Sequence, residues 1–148
     1  MIKIIDINFQ NQKSAVGCFL IKKDKNIVLI ETGPSLYYDT IKYSLKQISI
    51  EIEDIKHVLV THIHLDHSGG AWKFAKNGAK IYVHPIGAPH LENPERLIAS
   101  ASKSCCCLKV LASFRVFIKN GVCIRIFINS NALSKTLPFL DVESLFFL

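Results

Sequence analysis

Thr61-His62-Ile63-His64-Leu65-Asp66-His67-Ser68-Gly69-Gly70 follows directly on the apolar run Val58-Leu59-Val60. Three histidines and one carboxylate fall within six residues, a donor density that a solvated loop seldom reaches, at the point where a buried strand ends. Neutral imidazoles and carboxylates are the nitrogen and oxygen donors that zinc takes at about 2 Å. A softer site would need thiolates, and no Cys lies in the stretch. Side chains two apart on an extended chain project to one side, so His62 and His64 can share an ion. Asp66 and His67 are adjacent and need a tight turn, leading into Gly69-Gly70, to face a second ion beside the first. The other histidines, His57, His84 and His90, stand alone and read more simply as surface or hydrogen-bonded residues.

Working outward, Lys3 to Asn8, Ala15 to Lys22 and Asn26 to Glu31 are rich in Ile, Val and Phe and are separated by polar turn residues, which predicts an antiparallel meander of three strands. Pro34-Ser35 opens a helix with Leu36, Ile41, Leu45 and Ile48 near one face and Lys42 and Lys46 opposite. Ile55 to Thr61 reads as a strand covered on both sides. A short helix over Gly70 to Lys76 closes at Asn77-Gly78 as a left-handed cap, and Lys80 to Val83 is the next strand. A further helix starts at Asn93-Pro94-Glu95 and runs to about Ser102. Strands, helix, strand, loop, helix, strand, helix is the order of one αββ half of an α+β fold.

His62-Ile63-His64-Leu65-Asp66-His67 resembles the H-x-H-x-D-H signature of the metallo-β-lactamase superfamily, and Ser68-Gly69-Gly70-Ala71 is similar to its hydrolase branches, the glyoxalase II-like one above all. Ile27 to Pro34 resembles that family's strand ending in an acid-Thr/Ser-Gly turn, with Glu31 where Asp is commoner, and Ala79 to His84 resembles the strand after the metal loop. The resemblance covers residues 1–103 and implies the N-terminal half of an αββα sandwich. It implies two Zn²⁺ ions, with Fe²⁺ or Mn²⁺ as substitutes, held by His62, His64, Asp66 and His67. Asp66 would also act in catalysis by orienting the nucleophile, and Glu31 would orient a ligand His rather than bind an ion. His84 and His90 would line the cleft.

The family completes its ions with later histidines and a bridging Asp. Here all six histidines lie between His57 and His90, and Asp141 is the only Asp after Asp66. From residue 104 the character changes: Cys105-Cys106-Cys107 opens a stretch with Phe114, Phe117, Phe127, Phe139, Phe146 and Phe147 and no His. We therefore expect a partial metallo-β-lactamase-like domain over 1–103 and an atypical apolar tail over 104–148, forming a hairpin around Asn120-Gly121 or disordered. A replaced second half, as an altered reading frame would produce, accounts for this better than a natural short relative. A complete αββα hydrolase needs roughly 200 residues or more, against 148 here.

The function so implied is metal-dependent hydrolysis of an ester, thioester or related small-molecule bond, impaired in this chain. The alternatives are a metal-binding remnant without turnover and a nuclease-type phosphodiesterase of the same superfamily. A content of 49% hydrophobic and 20% charged residues excludes a disordered chain. The net charge is +6, but Lys and Arg are scattered without a basic block, which argues against a nucleic-acid partner. The first residues carry no signal-peptide pattern and no apolar run reaches a membrane span. Five cysteines, an odd number without a C-x-x-C clamp, point to free thiols and a reducing, cytoplasmic compartment. The partner expected is a small-molecule substrate, with association or aggregation through the apolar tail.

Overall fold

The structure, a computed structural model, describes residues 1–93, 95–97, 99 and 124–126. Strands β1 (Ile2–Asp6), β2 (Gly17–Lys23) and β3 (Asn26–Ile30) form the antiparallel meander, with Ile4 opposite Phe19 and Leu20 opposite Leu29. The tight β2–β3 connection places Asp24 at φ 55, a left-handed conformation that Asp tolerates better than most side chains. Helix α1 (Tyr38–Lys46) then crosses to β4 (His57–Leu59), which runs parallel to β3. Helices α2 (Leu65–Ser68) and α3 (Ala71–Lys76) lead to β5 (Lys80–Val83), parallel to β4, and α4 (Ala88–Glu92) follows. Strand β6 (Ile124–Ile126) adds parallel to β5. The described sheet has six strands in chain order, antiparallel at the β1 side and parallel from β3 onward.

Alternation along the strands sorts their side chains onto two faces. Ile5, Cys18, Leu20, Leu29, Val58, Ile81 and Val83 join Ile41 and Leu45 of α1, Trp72 and Phe74 of α3, and Leu91 of α4 in one buried cluster. Val28, Ile30 and Tyr82 are buried on the opposite face, where Ile2 and Ile4 of β1 are exposed. This is the half-sandwich that the order of elements predicts, with helices on one side of a mixed sheet.

Local chemistry sets the element bounds. Helix α1 buries Tyr38, Ile41 and Leu45, one stripe at helical spacing, and carries Asp39 in its first turn and Lys46 in its last, each at the end that the helix dipole favours. Leu36 departs from expectation, being 50% exposed. Ser35–Tyr37 closes a 3-10 turn first, with Tyr37 N–H donating to Pro34 O at 2.9 Å, and its tighter winding takes Leu36 off the stripe. Helix α3 ends in the anticipated left-handed cap: Gly78 has φ 88, its N–H reaches Ala75 O at 2.9 Å, and Ala79 N–H reaches Phe74 O at 3.0 Å.

Two further differences concern short elements. The fourth strand is only His57–Leu59 where Ile55 to Thr61 was expected, because Ile52–Asp54 forms a 3-10 turn just before it and the chain turns into the His segment just after. Helix α4, with Pro89 in its first turn, precedes the expected helix at Asn93, of which Glu95–Leu97 and Ala99 are described as helical. The boundary at 103/104 and the hairpin partner Leu108 to Ile118 lie outside the described residues; of the expected strand Val122 to Ile128, the described part is β6.

Candidate metal centre

The site is built where two parallel strands end side by side. Glu31 N–H donates to Leu59 O at 2.8 Å and Val60 N–H to Tyr82 O at 2.9 Å, so pairing persists one step past each strand before the chains turn away. Glu31 takes φ 64 and Gly33 φ 61, which bends the first chain sharply over the second. A Cβ on Gly33 would lie 2.7 Å from Ile7 Cδ1, the end of a side chain that can shift, so the turn needs glycine chiefly for its conformation.

Thr32, fully buried, fastens this turn to the His segment. Its N–H and its hydroxyl both donate to His67 O at 2.8 Å, and its Oγ1 accepts from Gly70 N–H at 3.1 Å. The His segment itself is one helical turn rather than an irregular loop. His64 O accepts from His67 N–H, Ser68 N–H and the Ser68 hydroxyl at 3.0, 2.8 and 3.0 Å. That turn re-aims adjacent residues, so Asp66 and His67 end near each other, with His67 Nε2 3.4 Å from Asp66 Oδ2.

The donors converge. One ligand atom each from Glu31, His62 and His67 lies within 4.8 Å of the others. The His62 ring centre is 4.1 Å from that of His67 and 4.9 Å from that of His64. His64 and Asp66 thus border the three-donor group, and Glu31, read from the sequence as an orienting acid, is one of its three members. Glu31 is 4% exposed. Its Oε1 accepts from the Thr61 N–H at 3.0 Å and from the Thr61 hydroxyl, while Oε2 lies 3.6 Å from His67 Nδ1. Partial burial, and then the neighbouring His67, hold the His62 ring below the usual histidine range, while Glu31 pulls the other way.

The arrangement fits a cation. Glu31 Oε2 and His67 Nδ1 are buried without a hydrogen-bond partner, and at 3.6 Å they are too far apart to satisfy one another fully. His67 Nε2 also lies 3.4 Å from Asp66 Oδ2, so a second carboxylate stands beside the same ring. Nitrogen and oxygen donors without thiolate suit zinc and its harder substitutes.

His84 and His90 lie outside the donor group. His84 is exposed and its Nδ1 accepts from Ile86 N–H at 3.3 Å; His90 is half-buried on α4. Their segment rests on the metal loop, since a Cβ on Gly87 would come 2.6 Å from Ile63 Cγ2. Thr32 and Thr61 are the participants that the sequence reading passed over. Their signal was position, one beside the acid and one beside the first His.

Among the described residues, no helix is long and apolar enough to cross a membrane. No match is found among curated proteins. The chain is similar to solved β-lactamases: a subclass B3 metallo-β-lactamase of Bradyrhizobium japonicum (31% identity, 52% of this chain and 30% of that one, TM-score 0.50) and a β-lactamase from Chitinophaga pinensis (33%, 53% and 30%, TM-score 0.50). A class B3 di-zinc metallo-β-lactamase from an Alaskan soil metagenome shares the fold at 24% identity, over 62% of this chain and 33% of that one, with TM-score 0.55. The chain therefore spans about a third of the length of these structures. The model of the metallo-beta-lactamase superfamily matches residues 13–104, a range that begins before β2 and takes in every donor described above. With the strand-end geometry and the His segment inside that match, the chain belongs to the metallo-beta-lactamase superfamily.

Proposed function

We propose that this chain carries the metal-binding segment of a metal-dependent hydrolase acting on an ester, thioester or related small-molecule bond, with zinc as the metal. The observation that carries the reading is the pair of buried, unpartnered atoms Glu31 Oε2 and His67 Nδ1 beside His62. His62, His64, Asp66 and His67 would hold the metal. A divalent cation there supplies charge that polarises a carbonyl and makes water acidic enough to furnish a nucleophile near pH 7. Asp66, with its side chain 46% exposed, is open to water and orients the attacking molecule. Glu31, sealed from solvent, keeps the turn at Thr61 in place and stands beside His67. The proposed setting is a reducing compartment, the cytoplasm, consistent with Cys18 as a buried free thiol.

The sequence supplies no His beyond His90, so the chain by itself offers fewer donors than two four-coordinate ions require. This favours weak binding and little or no turnover by the chain alone, the remnant reading. Zinc titration of the purified chain tests both. Binding that a mild chelator removes, and that His62→Ala/His64→Ala abolishes, is expected. Zinc retained through exhaustive dialysis against the chelator would show a completed site and overturn the remnant reading, whereas no binding at all would overturn the metal site. A panel of thioester, lactone, β-lactam and phosphodiester substrates with added Zn²⁺, Mn²⁺ or Fe²⁺ separates the activities. Little or no turnover is the expected result; ester or thioester turnover well above background that is lost in Asp66→Ala would overturn the remnant reading, and phosphodiester cleavage would favour the nuclease reading instead.

A further inference from the structure

Thr61 sits between the two groups on which the candidate site depends. Its backbone N–H donates to Glu31 Oε1 at 3.0 Å, its hydroxyl donates to the same oxygen, and its Oγ1 lies 2.8 Å from His62 Nδ1. A hydroxyl has one proton to give and two lone pairs to receive on, whereas an ionised carboxylate only accepts. With the Thr61 proton directed to Glu31, Oγ1 is the acceptor toward His62, and the proton in that contact belongs to the imidazole Nδ1. The imidazole then keeps its lone pair on Nε2, as a metal ligand must. The second oxygen of the same acid, Oε2, faces His67 Nδ1 at 3.6 Å.

The placement follows from the backbone. Thr61 is the first residue after Val60, whose N–H is still paired with Tyr82 O, so its position is fixed by the sheet and not by the loop. Glu31 is held from the other side through its own N–H on Leu59 O at 2.8 Å and adopts φ 64, an unusual conformation for a side chain with a Cβ. The two ends of this contact are thus fixed by neighbouring strands β3 and β4, which run parallel in register.

We propose that Thr61 is a positioning residue: its hydroxyl relays the Glu31 carboxylate to His62 and fixes the Nδ1–H tautomer of that ring. The buried acid thus reaches His62 through Thr61, while its other oxygen lies 3.6 Å from His67 Nδ1. The relay deepens the metal-site reading above and its importance for binding rests on that reading, but the tautomer it imposes exists in the metal-free chain.

The experiment uses the full chain with ¹⁵N-labelled histidine. Without metal, at slightly alkaline pH, long-range ¹H–¹⁵N spectra are expected to show His62 as the Nδ1–H tautomer in the wild type and in Thr61→Ser, and to show that preference lost in Thr61→Val. Thr61 is exposed, so the valine removes the hydroxyl at little cost in packing. Zinc titration of the same three proteins is expected to show affinity in Thr61→Val reduced about 10- to 100-fold, as when an outer partner of a ligand His is removed, with Thr61→Ser close to wild type. An Nε2–H tautomer at His62 in the wild type overturns the relay. So does wild-type affinity in Thr61→Val, or a loss in Thr61→Ser as large as in Thr61→Val. If Thr61→Val does not fold, the tautomer in the wild type and in Thr61→Ser still decides. If no protein binds zinc while His62 holds the Nδ1–H form in a Thr61-dependent way, the metal-site reading fails and the relay stands.

Discussion

Cys18 lies fully buried on β2, one step beyond the Phe19–Ile30 pair, which brings its thiol near the Glu31 carboxylate. Burial first, and the charge of Glu31 second, push the thiol from 9.0 up to about 12. The Tyr38 hydroxyl is pushed up as well, by burial and then by Glu53 and Asp39. Both groups are neutral in the folded chain over a pH range where the unfolded chain has released their protons. Their stabilising contribution is therefore complete below the unfolded pKa and is lost as pH rises through the folded one. For Cys18 that window runs from about 9 toward about 12. Urea midpoints measured from pH 8 to pH 11 should fall with pH, and Cys18→Ala should flatten part of that fall; an unchanged slope would contradict the burial of a protonated thiol. The Thr61 relay is not legible in the sequence, because Glu31 stands thirty positions before Thr61 and only the parallel pairing of β3 with β4 brings them together. His62, His64, Asp66 and His67 were legible because their donors crowd one short segment.

At the scale of elements, periodicity located every strand of the meander and the capped helix α3, where each signal lay within a few residues of the structure that it describes. It failed where short-range geometry overrides the period, as at the 3-10 turn that exposes Leu36 and at the single helical turn α2. The glycines after α2 show why that turn has its form. Gly70 has an ordinary helical φ of −87, so its need is space: a Cβ there would meet Thr32 O at 3.0 Å and the Thr32 side chain at 3.3 Å. Its N–H also donates to Gly33 O at 2.8 Å, which ties the His segment to the turn after β3. Gly70→Ala must push these two segments apart, and overpacking of this kind costs about 1 to 3 kcal/mol. The expected outcome is a lower thermal midpoint together with weaker zinc binding, because the displaced turn carries Glu31. A variant equally stable and equally able to bind zinc would show that the two segments are not rigidly joined. Gly78→Ala is the contrasting case, with nothing near its Cβ but φ 88, so its cost is conformational and should leave zinc binding alone.

Across the whole molecule, burial falls away at the outermost described strand. The helix-covered face holds Leu20 and Leu29 at 0% exposure within the single large cluster, while on the opposite face Ile2 and Ile4 of the outermost described strand are 60% and 62% exposed. Apolar side chains exposed on an outer strand invite association with another chain. A charge at such a position blunts that tendency and sacrifices little burial. Ile4→Lys should therefore change the urea midpoint by no more than about 0.5 kcal/mol equivalent, and should raise the concentration at which light scattering first detects self-association. Leu20→Ala, on the other face, opens a cavity in the cluster and should cost roughly 2 to 5 kcal/mol. Ile4 stands opposite Phe19, which is only half-buried, so the lysine stem can lie along that ring and keep its amine in water. A destabilisation by Ile4→Lys as large as that of Leu20→Ala would mean that Ile4 is covered in solution and contributes to the core as fully as Leu20 does.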